Sequence, residues 1–228
     1  MKLQAATFLD LLRVKQWIKN LLIYIALIFT NNLFNAGLFL RVTAGFFLLC
    51  FAASAIYILN DIIDRKEDAY HPDKKSRPIA KGSVSVPFAS AISAILAVSA
   101  LAGSFLISRD FFYVICVYLA MNILYTLKLK HAVILDIFIV AAGYVLRAIA
   151  GAVIISVAIS PWLLICTSLL ALFVIMAKRR HEVSTLSDAA RHRKILSEYS
   201  VPLLDEMTSV VTASTVIAYS LYTFTSET

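Results

Sequence analysis

Residues 60–68 read Asn-Asp-Ile-Ile-Asp-Arg-Lys-Glu-Asp and stand where an apolar run, residues 46–59, gives way to charges. On a helix, Asp61, Asp64 and Asp68 fall within one narrow arc, with Asn60 at its edge. Carboxylates crowded on one face repel one another unless a cation lies between them. Oxygen ligands without Cys or His favour Mg²⁺. The stretch therefore predicts a magnesium site made by Asn60, Asp61, Asp64 and Asp68.

The composition predicts an integral membrane protein. Of the 228 residues, 61% are hydrophobic and only 15% are charged, a balance that excludes a soluble globular domain. The apolar segments are long enough for an α-helix to cross a hydrocarbon core of about 30 Å. We therefore predict an all-α, multi-span transmembrane helical bundle, a single domain over residues 1–228, with about seven spans near residues 18–35, 40–60, 85–107, 111–127, 133–155, 161–177 and 207–225.

The distribution of positive charge predicts the orientation. Most of the 21 Lys and Arg residues precede the first span or lie between spans two and three, four and five, and six and seven. By the positive-inside rule, the N-terminus and the loops at about 61–84, 128–132 and 178–206 are cytoplasmic. We expect a location in the bacterial inner membrane. The orientation in the membrane thus explains the net charge of +7, and no nucleic-acid partner is expected.

Residues 1–20 are predicted to form an interfacial helix that leads into the first span. Lys15 and Lys19 would share one helical face, as a phosphate clamp requires, and Asn20 follows them. The alternative is an ordinary basic anchor that only sets the topology.

The cytoplasmic loops carry further polar residues that we expect to bind substrate. Arg77 lies in a basic strip directly after the acidic stretch, and Arg147 falls inside a span. An ionisable residue within a span is costly, so Arg147 is expected either to face a cavity or to form a structural ion pair. The remaining candidates in these loops and at the adjoining helix ends are Tyr125, Lys128, Lys130, Asp136, Lys178, Arg179, Arg180 and Glu182.

Motifs of other classes are missing from the sequence. There is no Walker-type glycine loop, no GxGxxG, no GxSxG and no DGxxAR pattern of CDP-alcohol phosphotransferases. The three cysteines all lie in apolar segments and are expected to be core residues. Because the glycine loops are missing, phosphate groups would be held by side chains and a metal ion.

These motifs resemble the UbiA superfamily of intramembrane prenyltransferases. The acidic stretch is similar to the NDxxDxxxD motif that follows the second helix of that superfamily. The resemblance implies that its acids bind Mg²⁺ and a pyrophosphate group. It also implies nine helices, so a chain with about seven is expected to be a fragment or a short form of the fold.

The sequence resembles one branch of the superfamily more closely. The second acidic motif of the superfamily is not present as a repeated Asp pattern in the loop between spans six and seven. Lys178-Arg179-Arg180-x-Glu182 stands in its place. With the basic motifs at residues 13–20 and 127–151, this departure resembles the polyprenyl-phosphate (decaprenyl-phosphate) phosphoribosyltransferases.

The branch implies transfer of a 5-phosphoribosyl group from phosphoribosyl pyrophosphate, a cytosolic donor, to a polyprenyl phosphate held among membrane lipids. Asp61, Asp64, Asp68 and Glu182 would be the catalytic residues. The first alternative is transfer of a prenyl group from a polyprenyl diphosphate to an aromatic or similar acceptor. The second is a non-enzymatic transporter or assembly factor, which predicts acids along a path through the bilayer instead of at one face. The oligomeric state is left open.

Overall fold

The structure is a computed structural model that describes residues 5–185 and 198–225. Every regular element within those ranges is a helix, which confirms the all-α prediction. The α-helices are α1 Ala5–Leu12, α2 Ile25–Phe29, α3 Ala36–Ile63, α4 Arg65–Tyr70, α5 Val86–Ile107, α6 Arg109–Leu127, α7 Leu135–Ile154, α8 Pro161–Thr185 and α9 Val201–Thr225. Two 3₁₀ helices, Val14–Tyr24 and Leu129–His131, lie between them.

Six of these helices, α3 and α5 to α9, are long and apolar enough to cross a membrane. They match six of the seven predicted spans. The first predicted span, residues 18–35, consists instead of a 3₁₀ helix, the short α2 and a turn. Asn31 adopts a positive φ of 55° in that turn, and the side chain of Asn35 accepts a hydrogen bond from the N–H of Leu38 to cap α3. Asparagine residues therefore form the turn after α2 and the N-cap of α3.

Several boundaries differ from the sequence prediction. Helix α8 extends to Thr185, so Lys178, Arg179, Arg180 and Glu182 lie on a helix and not in a loop. Helix α9 begins at Val201, six residues before the predicted span, because its first turns are polar and hydropathy alone does not mark them. The basic residues 191, 193 and 194, which contribute to the predicted orientation, lie outside the described residues.

The chain divides into two compact units. The described residues of the first unit fall within Met1–Ile123 and Arg147–Val157. Its buried cluster of Leu11, Ile58, Ile79, Val84 and Ala89 joins α1, the end of α3, the segment after α4 and the start of α5. This apolar packing holds the acidic end of α3 close to α1 and to the segment that carries Arg77.

The second unit comprises Leu124–Leu146 and the described residues within Ala158–Thr228. Helices α8 and α9 pack on one another within it. Its core contains Ile137 and Ala141 of α7, Met176 of α8, Tyr199 just before α9 and Leu204 in its first turn. This apolar cluster therefore holds the start of α7, the later part of α8 and the start of α9 against one another.

Candidate functional site

The acidic stretch lies across the junction between α3 and α4 in the first unit. Asp64 ends α3, yet its N–H donates to the carbonyl of Asn60 at 2.9 Å, and the N–H of Asp68 donates to the carbonyl of Asp64 at 2.8 Å. The backbone thus remains nearly helical through the junction. Asp61 and Asp68 are each only 3% exposed, and Asp64 is half-buried. The structure therefore brings Asp61 and Asp68 together as buried acids.

Basic side chains neutralise these two acids. Nη1 of Arg77 lies 3.0 Å from Oδ1 of Asp61 and 2.5 Å from Oδ2 of Asp68, so one guanidinium bridges both carboxylates. Arg13 pairs with the same Oδ1 of Asp61. Nζ of Lys74 lies 3.8 Å from Asp68. Because a buried carboxylate without a cationic partner is strongly unfavourable, the pairing accounts for the burial.

Arg13 was not among the predicted site residues. Its backbone has a positive φ of 51°, an uncommon conformation for a residue other than glycine. Its guanidinium lies 5.1 Å from the centre of the Tyr57 ring as well as against Asp61. The signal in the sequence was only its place in the family motif at residues 13–20.

The predicted magnesium ligands Asn60, Asp61, Asp64 and Asp68 all contact other side chains of the protein. Within residues 5–185 and 198–225, no group of three His, Cys, Asp or Glu side chains is arranged as a metal site. The amide of Asn60 donates to Oδ2 of Asp64 at 3.0 Å, and the guanidinium of Arg77 donates to both Asp61 and Asp68. The donor set is nevertheless the one that Mg²⁺ prefers. The chemistry of the donor set therefore fits the ion, whereas in the geometry described the guanidinium of Arg77 contacts both Asp61 and Asp68.

The clamp predicted for Lys15 and Lys19 is not formed as expected. Both lie on the 3₁₀ helix Val14–Tyr24, where residues four apart point about 120° away from each other. Lys15 is exposed and Lys19 is half-buried. The prediction of a shared face was wrong because it assumed α-helical geometry.

Asn20 and Arg147 are brought together in a buried polar network of the first unit. Nε of Arg147 donates to Oδ1 of Asn20 at 2.7 Å, and Nη2 donates to the hydroxyl of Tyr118 at 3.0 Å. Nδ2 of Asn20 lies 3.2 Å from Sγ of Cys50. Arg147 is only 6% exposed, so its guanidinium is buried within the span. These hydrogen bonds join the guanidinium to neutral side chains. Tyr118 had no sequence signal that singled it out.

A second charged cluster forms in the second unit. Asp136, at the start of α7, is fully buried, and its Oδ2 lies 3.0 Å from Nη2 of Arg179. Nη1 of Arg179 donates to Oε2 of Glu182 at 2.6 Å. Glu182 also lies 3.8 Å from Nζ of Lys178, and its side chain is 25% exposed. The cluster thus runs from a buried carboxylate through a buried guanidinium to a carboxylate that reaches the surface.

Tyr199, which was not among the predicted site residues, completes this cluster. Its hydroxyl donates to Oδ1 of Asp136 at 2.6 Å and accepts from the N–H of Ile134 at 2.7 Å. Burial and the hydrogen bond to Asp136 raise the pKa of Tyr199 to about 12, so the phenol stays protonated at neutral pH. Ile134 has a positive φ of 69°, which is strained for a β-branched residue.

The other predicted binding residues of the second unit differ in exposure. Arg180 forms a surface ion pair with Asp205, with 2.5 Å between Nε and Oδ1 and both side chains about half exposed. Lys128 is exposed next to the 3₁₀ helix Leu129–His131. Lys130 and Tyr125 are half-buried.

Comparison with known proteins identifies the family. The model of the UbiA prenyltransferase family matches residues 21–226. The decaprenyl-phosphate phosphoribosyltransferase of Mycolicibacterium smegmatis is 34% identical over 220 residues, 94% of this chain and 69% of that protein. The enzyme of the same name from Mycobacterium tuberculosis is 32% identical over 218 residues, 93% of this chain and 72% of that protein.

Solved structures show the same fold. A UbiA homolog from Archaeoglobus fulgidus bound to DMAPP and Mg²⁺ superposes with a TM-score of 0.83 at 19% identity, covering 97% of this chain and 79% of that one. The family match and the six apolar helices confirm an integral membrane protein. The family match and the two relatives confirm the enzyme prediction and leave no support for a non-enzymatic transporter or assembly factor. The chain belongs to the UbiA prenyltransferase family and is a membrane transferase of that family.

Proposed function

We propose that the protein transfers a 5-phosphoribosyl group from phosphoribosyl pyrophosphate to a polyprenyl phosphate and releases pyrophosphate. The observation that carries the proposal is the likeness to two decaprenyl-phosphate phosphoribosyltransferases over 93–94% of this chain. It is supported by the basic character of the α8 end, where Arg179 and its neighbours replace the second acidic motif.

The proposed chemistry is a displacement at the anomeric carbon of the ribose. A phosphate oxygen of the lipid forms the new bond to that carbon, and the bond from the carbon to pyrophosphate breaks with its electron pair on the pyrophosphate. The attacking phosphate is already ionised, so no general base is required. The protein's contribution is to position two anions and to compensate their charge, which is worth most where water is excluded.

The acidic stretch is proposed as the metal-binding part of the site. Asn60, Asp61, Asp64 and Asp68 would hold Mg²⁺, which would supply positive charge to the leaving pyrophosphate. Arg77, which already bridges Asp61 and Asp68, is proposed to contribute the same kind of compensation from the protein itself.

The remaining predicted residues are proposed to bind the substrates. The cationic ones would screen phosphate charge in a medium of low dielectric. Glu182 would accept hydrogen bonds from ribose hydroxyls. The full proposed set is Lys15, Lys19, Asn20, Arg77, Tyr125, Lys128, Lys130, Asp136, Arg147, Lys178, Arg179, Arg180 and Glu182. We propose an inner-membrane location, and the distribution of Lys and Arg supports an orientation with the N-terminus and the charged helix ends on the cytoplasmic side.

A lipid-labelling assay tests the proposed reaction. Membranes that contain the protein are supplied with Mg²⁺, labelled phosphoribosyl pyrophosphate and a polyprenyl phosphate, and the lipid extract is counted. We expect label in the lipid fraction, and none from membranes without the protein. An unlabelled lipid fraction, together with prenyl transfer from a polyprenyl diphosphate to an aromatic acceptor, would replace this proposal by the prenyltransferase alternative.

Replacing Arg77 by Gln tests the acids as a cation site without measuring turnover. In chelator, Asp61 and Asp68 lose the guanidinium that they share, so R77Q is expected to melt several degrees below the wild type. Added Mg²⁺ should raise the melting temperature of R77Q by more than that of the wild type, because the ion no longer competes with a resident cation. Thermal unfolding in detergent, with and without Mg²⁺, measures both effects.

Arg180→Gln is the matched control for this experiment. It removes the same side chain from a surface ion pair with Asp205, whose side chains are 49% and 48% exposed. Such exposed pairs contribute little to stability, so the control should melt like the wild type and respond to Mg²⁺ in the same way. An equal response of R77Q and the wild type to Mg²⁺ would contradict the metal assignment.

A further inference from the structure

The cluster around Asp136 in the second unit is a chain of contacts in which each member holds the next. The Tyr199 hydroxyl donates to Oδ1 of Asp136, and Oδ2 of the same carboxylate faces Nη2 of Arg179. Nη1 of Arg179 then donates to Oε2 of Glu182. Tyr199, Asp136 and Arg179 are 4%, 0% and 6% exposed, whereas Glu182 reaches the surface. A buried chain of two hydrogen bonds and one ion pair therefore ends on one accessible carboxylate.

The backbone at the start of this chain is constrained as well. Ile134 has the strained φ of 69°, and its N–H donates to the Tyr199 hydroxyl, the same oxygen that donates to Asp136. Strain of this kind persists where the surrounding structure over-determines a conformation, and it is concentrated at functional sites. Tyr199 thus fixes both the backbone before α7 and the side chain of Asp136.

We propose that Tyr199 and Asp136 are positioning residues that act through Arg179 to hold Glu182, and that Glu182 makes the site selective for a donor with ribose hydroxyls. This inference rests on the proposed phosphoribosyl transfer. An ionised carboxylate is an acceptor without donors, so it suits a pair of sugar hydroxyl groups and is repelled by phosphate. A carboxylate that Arg179 holds in one orientation discriminates better than a mobile one, because misplacement by about 1 Å reduces rates by orders of magnitude.

The test compares two donors on the same preparation of purified protein. The ratio of kcat/KM for phosphoribosyl pyrophosphate to kcat/KM for its 2-deoxy analogue is measured with a polyprenyl phosphate acceptor. Because both donors meet the same molecules, this ratio does not depend on the fraction of protein that is folded. We expect Glu182→Ala to lower the ratio on the order of tenfold or more, the loss of a hydrogen bond to a charged group.

Tyr199→Phe tests the positioning role. We expect it to lower the donor ratio by about fivefold to tenfold in the wild-type background and not at all in the E182A background, where no carboxylate remains to be positioned. Asp136→Asn is a second variant in case Y199F does not fold, and it should lower the ratio in the same direction. Tyr24→Phe removes a hydroxyl that donates to Thr43 at 2.9 Å in the first unit and should leave the ratio unchanged.

The outcomes separate this inference from the proposed function. A ratio lowered by E182A but unchanged in Y199F and D136N overturns the positioning role alone. A ratio unchanged in E182A overturns the assignment of Glu182, while phosphoribosyl transfer by the wild type still stands. An additional loss from Y199F in the E182A background also overturns the inference. No transfer from phosphoribosyl pyrophosphate by the wild type overturns the proposed function itself.

Discussion

Asp64→Asn is expected to lower the rate of phosphoribosyl transfer by a few hundredfold or more, the scale at which one electrostatic group contributes to a transition state. Asp64 is half-buried at the end of α3, and its carboxylate accepts a hydrogen bond from the amide of Asn60. Asparagine has nearly the same shape, so the junction between α3 and α4 should be retained. The substitution removes one negative charge from the proposed metal ligands, and transfer of label to lipid measures the loss.

The control for this prediction is Asp73→Asn. Asp73 is an exposed carboxylate in the segment between α4 and α5, and the same chemical change there should leave transfer unaltered. Both variants should appear in the membrane fraction at the wild-type level, which checks that they fold. A loss of threefold or less corresponds to a smaller change in activation free energy than the roughly 1.4 kcal/mol of a tenfold loss. If D64N retained more than about a third of wild-type activity, Asp64 would therefore not be a metal ligand.

Gly151→Ala is expected to have the largest effect on stability among single-methyl substitutions. A Cβ at residue 151 would lie 1.9 Å from the carbonyl oxygen of Ile23, so the 3₁₀ helix and α7 would have to separate. Overpacking of this kind costs about 1–3 kcal/mol and occasionally more. The obstacle here is backbone and not the tip of a side chain, so we expect the upper end of that range. In thermal unfolding this corresponds to a loss of roughly 6–12 °C.

Gly37→Ala provides a matched comparison. Residue 37 lies in the first turn of α3, and an added Cβ would meet only Oδ1 of Asn35, at 3.5 Å. Alanine is favoured over glycine in a helix, so G37A should melt at or slightly above the wild-type temperature. Equal melting temperatures for G151A and G37A would show that α7 and the 3₁₀ helix do not approach as closely as described. The location of Gly151 four residues after Arg147 also predicts that G151A disturbs the contact of Arg147 with Asn20.

The fold class followed from the sequence because it depends on local properties. Long apolar segments predict spanning helices, and six of the seven predicted spans are present. The exception, residues 18–35, was interrupted by asparagines whose side chains cap and turn the backbone. The sequence also placed Asp61, Asp64 and Asp68 correctly at a helix end, since their spacing along the chain is itself local.

The counterions of these acids could not be predicted, because pairing depends on distant parts of the chain. Arg13 is 48 residues from Asp61 in sequence, and Arg77 is 16 residues away. Hydrophobic periodicity contains no information about such pairs. The 3₁₀ form of Val14–Tyr24 was missed for a related reason, since its residues favour an α-helix and the backbone is set by contacts such as that of Trp17 with Ser54 at 3.0 Å.

By itself, the sequence determined that the chain is helical, that it enters the membrane and that its first acidic motif lies at a helix end. These properties are local because every backbone group within a bilayer must be paired inside its own helix. The tertiary structure alone decided which cation meets each acid, and that Tyr199, Asp136, Arg179 and Glu182 form one chain of contacts. Burial makes an unpaired charge costly, so the partners of these acids were set by the packing that removes them from water.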